Sequence, residues 1–256
     1  MLNGGDLNIG GTPQDQLKSD FLFQALQMMN YDAFTPGESE FTFGWEYLNE
    51  KARENPIFIS ANIIDAKTQK PVFPPYLSKT YNYSIETVDA KGKPKTLKEK
   101  VNIAVVGVLG KSVVPAIDSY LGNEHTMFTY EEPTTALIKL MPEIRKKNDI
   151  VVVLAHVTQA EADAIARGVA GIDILLTGHD GIQMAGNPLL VGRTVMGTNG
   201  DRGRFVGELE LRFDENKHII NYRGKEIALS GDYADDSSMA NLVQTYKSAL
   251  QSVPPH

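Results

Sequence analysis

Asp6, His156 and His179 can bind metal or carry a proton, and each stands where a strand-like run ends. Val151-Val152-Val153-Leu154-Ala155 leads into His156, and Ile174-Leu175-Leu176-Thr177 leads into Gly178-His179-Asp180. A further pair, Glu38 and Glu40, follows the short run over residues 31–35. In α/β sheets, ligands bind beyond the carboxyl ends of strands. Carboxylates and imidazoles drawn from several such ends suit hard or borderline divalent ions. Two such ions close together can bind a phosphate ester, generate a hydroxide and stabilise the leaving oxygen. Each residue also has a purely structural reading. Asp6 fits a turn, each histidine fits a hydrogen-bonded residue after a buried strand, and Glu38 and Glu40 fit a solvated Pro-Gly loop. His125 and His218 lie in polar surroundings and read as surface residues.

Positioning these side chains requires alternating strands and helices, which predicts layered α/β architecture. Apolar spacing predicts a helix over residues 14–30, with Leu17, Phe21, Leu22, Ala25, Leu26 and Met29 on one face. A short strand over 31–35 stops at Pro36-Gly37, and a second helix spans 45–53. Residues 56–64 read as a buried strand, and 81–88 and 99–107 as two more around a lysine-rich tip over 90–95. Residues 131–147 read as a helix with Pro133 in its first turn. The strand over 150–155 is followed by Thr158 and, three residues on, Glu161, the signature of a capping box. Another apolar strand covers 172–177. Residues 194–196, 204–213 and 219–227 read as antiparallel strands, 236–251 as a last helix, and 252–256 as a linker.

Composition narrows the partners. The net charge of -7 argues against nucleic-acid backbones, which need a basic face. Small phosphate esters stay open, because bound metal supplies positive charge locally. With no cysteine, thiol catalysis, disulfides and zinc-thiolate sites are all excluded. No apolar run is long enough for a membrane-spanning helix, and the first residues carry no signal-peptide pattern. No Gly-x-Gly-x-x-Gly opens a helix after a strand, which sets aside dinucleotide binding.

Order adds what single residues lack. Gly4-Gly5-Asp6-Leu7, Gly11-Thr12-Pro13, the loop Gly37-Glu38-Ser39-Glu40-Phe41-Thr42-Phe43-Gly44, the run into His156 and the run into His179 follow one another along nearly the whole chain. This ordered set resembles the calcineurin-like metallophosphoesterases, in particular the metallophosphatase domain of the 5'-nucleotidase branch, whose loop reads Gly-Asn-His-Glu-Phe-Asp-x-Gly. The resemblance implies an α/β fold, a four-layer α/β/β/α sandwich with two mixed sheets. It implies a single domain over 1–256, with an upstream segment expected before Met1 and the family's C-terminal nucleotide-binding domain absent. It implies divalent metal ions (Mn, Zn, Co, Ca or Mg), one rather than two if ligands are short. Carried over by residue, Asp6 matches the bridging carboxylate, Glu38 replaces the metal-binding Asn, and His156 and His179 match metal-binding histidines. No catalytic residue is assigned. Ser39 stands where the family has the histidine that assists the leaving group, and Gly181 where it has a last metal-binding histidine. The Asp-x-His motif of its first strand has no counterpart, and Gly122-Asn123-Glu124-His125 carries the family's letters in the wrong order.

Two functions follow from the resemblance. One is a divergent phosphoesterase, in which metal-bound hydroxide hydrolyses a nucleotide or other small phosphate ester. The other is a binding or structural module whose site has decayed. The family further implies a periplasmic or extracellular location. Oligomeric state is left open.

Overall fold

The computed structural model describes residues 1–88, 93–180, 188–199 and 203–254. Along the chain lie β1 (Leu2–Asn3), α1 (Pro13–Met28), β2 (Ala33–Phe34), α2 (Gly44–Glu54), β3 (Ile63–Asp65), β4 (Tyr76–Val88) and β5 (Pro94–Leu109). Then come α3 (Val114–Leu121), β6 (Phe128–Tyr130), α4 (Pro133–Lys147), β7 (Ile150–Val157), α5 (Gln159–Gly168) and β8 (Ile174–His179). The chain continues through β9 (Leu189–Val191), β10 (Thr194–Thr198), β11 (Phe205–Phe213), β12 (Ile219–Ala228) and α6 (Ser237–Leu250).

The central element is a mixed six-stranded sheet in the order β4-β5-β7-β8-β10-β9. Strands β5, β7, β8 and β10 run parallel, while β4 and β9 close the two edges antiparallel. Every residue of β7 is buried, as expected of a parallel strand covered on both faces. Its alternation splits the core. Val151, Val153, Ala155 and Val157 pack with Leu137, Met141 and Ile144 of α4 and with Ala162, Ile165 and Ala166 of α5. Ile150, Val152 and Leu154 face the other way, toward Leu2, Ala33 and Ile59 and toward Leu209 and Leu211 of the β11–β12 hairpin. His156 continues this second series. Beyond β2, a cluster built on Phe23, Phe34, Phe41, Leu48 and Phe58 ties α1 and α2 to the small strands.

Local chemistry fixes the helix starts. Thr12 and Asp15 form a capping box on α1, and Thr158 and Glu161 form another on α5. Glu132 caps α4, whose first residue is Pro133. At the far ends of β7 and β8, Arg145 donates to the carbonyls of Gly171 and Asp149 and to the carboxylate of Asp173. Asp173 in turn accepts from the amide of Val151.

The mixed α/β fold expected from the sequence is present. Three local expectations need correction. Of residues 56–64, those from 58 to 63 are buried, but the run is largely not strand. Only Ile63–Asp65 forms one, and Phe58 makes an isolated parallel bridge to Phe34. An apolar run signals burial more firmly than it signals conformation. β10 pairs antiparallel with β9, as expected, but on its other side it also pairs parallel with β8. Helix α3, unexpected from the sequence, packs Ile117 and Leu121 into the aromatic cluster. The tip of the β4–β5 hairpin falls partly outside the described residues, as does Gly181. Among the described residues no helix is long and apolar enough to cross a membrane.

Candidate metal centre

Parallel pairing of β7 with β8 sets His156 opposite Gly178 and Val157 opposite His179. The two imidazoles therefore lie side by side, ring centres 5.1 Å apart. The Glu38 carboxylate sits between them, Oε2 2.7 Å from Nε2 of His156 and Oε1 3.1 Å from Nδ1 of His179. Asp6 completes the group, with Oδ2 3.5 Å from the same Nε2. One donor atom from each of Asp6, Glu38, His156 and His179 falls within 4.8 Å of the others.

Backbone geometry makes this crowding possible. Asp6 and His179 both adopt left-handed conformations, with φ of 59° and 68°. Such residues are uncommon and gather at functional sites, where surrounding structure holds them. Gly37 passes so close that a Cβ there would lie 2.5 Å from Oδ1 of Asp6 and 2.7 Å from Nε2 of His156. The amide of Ser39 donates to Oδ1 of Asp6 at 3.1 Å.

His156 is fully buried, and its Nδ1–H donates to the carbonyl of Gly4 at 2.5 Å. That bond fixes the tautomer and turns Nε2 toward the cluster, the arrangement typical of a metal-ligating histidine. Burial pushes the imidazole toward neutrality, but the Glu38 hydrogen bond, the Asp6 charge and the Gly4 carbonyl together raise its pKa. For Glu38, burial acts upward, yet the His156 hydrogen bond, its own backbone amide and both imidazoles hold the carboxyl below its usual range. Two carboxylates and two imidazoles, each with a donor atom facing the others, fit a divalent ion.

The four residues singled out as metal ligands are thus brought together. Asp180 stays at the margin, with Oδ1 4.0 Å from Nε2 of His179. His125 is exposed and bonds to the Gly122 carbonyl, and exposed His218 pairs with Asp214. Glu40 departs from its solvated reading: it is 0% exposed and accepts from the amides of Asp6, Leu7 and Gly37. The Gly4 carbonyl was also missed, since a backbone acceptor leaves no mark in side-chain identity.

Over 70% of its length the chain is 32% identical to the 2',3'-cyclic-nucleotide 2'-phosphodiesterase/3'-nucleotidase of Salmonella typhimurium. Over 98% it is 25% identical to the 5'-nucleotidase of Homo sapiens. It spans 29% and 44% of the lengths of these two relatives. Its fold is similar to that of the calcineurin-like phosphoesterase YfkN from Bacillus subtilis, with a TM-score of 0.74 at 15% identity, covering 98% of this chain and 83% of that one. No family model matches. The fold is thus similar to that of calcineurin-like phosphoesterases, and the sequence is similar to 5'-nucleotidases and cyclic-nucleotide phosphodiesterases. Both likenesses are consistent with the N-terminal domain of such nucleotidases.

Proposed function

We propose that the chain is a divergent metal-dependent phosphoesterase acting on a nucleotide or similarly small phosphate ester. The observation that supports this most directly is the convergence of Asp6, Glu38, His156 and His179 within 4.8 Å. These residues would hold a divalent ion, which when bound supplies charge to the phosphate and acidifies water. The Gly4 carbonyl keeps the His156 proton on Nδ1, leaving Nε2 as the donor toward the ion. The Ser39 amide orients Asp6. Names of the relatives favour nucleotides as the substrate class.

Ser39 limits the chemistry. A serine hydroxyl cannot deliver a proton as an imidazolium does, and such acid assistance contributes about 10²–10⁴ in rate. Hydrolysis on this site therefore favours esters whose leaving group departs without a proton, nitrophenolate before a ribose alkoxide. Phosphate release from nitrophenyl phosphate, measured with manganese, zinc, cobalt, calcium or magnesium and again after chelation, tests the reading. Chelator-sensitive turnover supports it, and no turnover with any of these ions refutes it.

Ser39 also favours a second reading, in which the chain binds metal without catalysis. Stoichiometric metal binding with no phosphate release would select it.

A further inference from the structure

Glu40 is excluded from the ligand set by its own bonding. Among the described residues it is the only acidic side chain that is buried, at 0% exposure. Its Oε2 accepts from the amides of Asp6 at 2.9 Å and Gly37 at 2.7 Å. Its Oε1 accepts from the amide of Leu7 at 2.7 Å, with the Ser39 hydroxyl at 3.4 Å. An enclosed carboxylate is costly unless such donors satisfy it. The donors come from two loops that are separate in sequence. One carries Asp6 and the other carries Glu38, next to Gly37.

We propose that Glu40 is a positioning residue that clamps these two loops and so sets the separation of Asp6 and Glu38. Divalent-ion affinity then depends on a side chain that never touches the ion. This inference rests on the metal-binding reading above. Charge and length both matter to the clamp. A glutamine has one acceptor oxygen, and its amide nitrogen would face a backbone N–H. An aspartate keeps the charge but falls short of the same amides.

The test is calorimetric titration of the metal-free protein with manganese, paired with thermal unfolding of each variant. Glu40→Gln should weaken manganese binding about 10–100-fold, the usual cost of losing support behind a metal ligand. Arg145→Ala, which breaks contacts at the opposite ends of β7 and β8, serves as a destabilised control and should bind as wild type does. Should Glu40→Gln fail to fold, Glu40→Asp takes its place with the same expected loss. Unchanged affinity in the folded Glu40 variant, or equal loss in the Arg145 control, overturns the positioning role and leaves the metal reading standing. Absence of manganese binding by wild type overturns both.

Discussion

The Glu38 carboxylate meets His156 across 118 residues of sequence, with Oε2 2.7 Å from Nε2. The same carboxylate reaches His179 with its other oxygen. A carboxylate at this point joins the two imidazoles in the protein itself, as a neutral amide would do only weakly. It also adds negative charge where a cation would sit, so on the proposed metal-binding reading this departure from the family motif would strengthen the attraction for a divalent ion.

Replacing Glu38 by Ala should lower divalent-ion affinity at least tenfold, about 1.4 kcal/mol. Glu38→Asn retains an oxygen donor and should lie between wild type and Glu38→Ala. Titration calorimetry with zinc or manganese orders the three. Equal affinities would remove Glu38 from the ligand set.

Ser39→His should raise turnover of an ester with a poor leaving group by about 10²–10⁴, the range of general-acid assistance. Metal affinity should stay near that of wild type. The gain should be smaller with nitrophenyl phosphate, whose leaving group needs no proton. Comparing the two substrates separates acid assistance from an effect on metal.

Gly37→Ala places a Cβ 2.5 Å from both Oδ1 of Asp6 and Cε1 of His156. Overpacking of this kind costs about 1–3 kcal/mol. Because the intruding atom pushes between two ligand-type residues, thermal stability and metal affinity should fall together. A variant that unfolds earlier yet binds metal normally would contradict the close approach.

Glu161 predicts a pH effect outside the cluster. Burial acts to raise its pKa, but the Thr158 amide, both donors of Ser112 and the Thr158 hydroxyl outweigh it and hold the carboxyl low. A depressed carboxylate contributes stability that is complete above its ordinary value of 4.5 and is lost as pH falls through the lower folded value. Glu161→Gln should therefore be less stable than wild type near neutrality, and the gap should close in acid. Denaturant unfolding from pH 7 to about 3 reads this directly. A constant gap would deny the carboxylate its role.

Sequence made some of this legible. Thr158 and Glu161 are three residues apart, so their capping box is a local pattern that can be read from neighbouring residues alone. His156 and His179 each close an apolar run, and parallel pairing then brings them together. What stayed hidden depends on distant backbone. Glu40 looked solvated because its donors at Asp6 and Leu7 lie more than thirty positions away. The left-handed backbone of Asp6 and His179 carries no glycine to announce it. Residues 56–64 shared the composition of a strand, yet most of them found no continuous partner.

The Gly4–His156 hydrogen bond spans 152 positions, and this has a kinetic consequence. Closing so long a loop must precede any assembly of the four donors, so the cluster cannot exist in early, locally ordered chains. Manganese added during refolding should leave the folding rate unchanged. It should instead slow unfolding, because the ion would recognise an arrangement that only the finished fold presents.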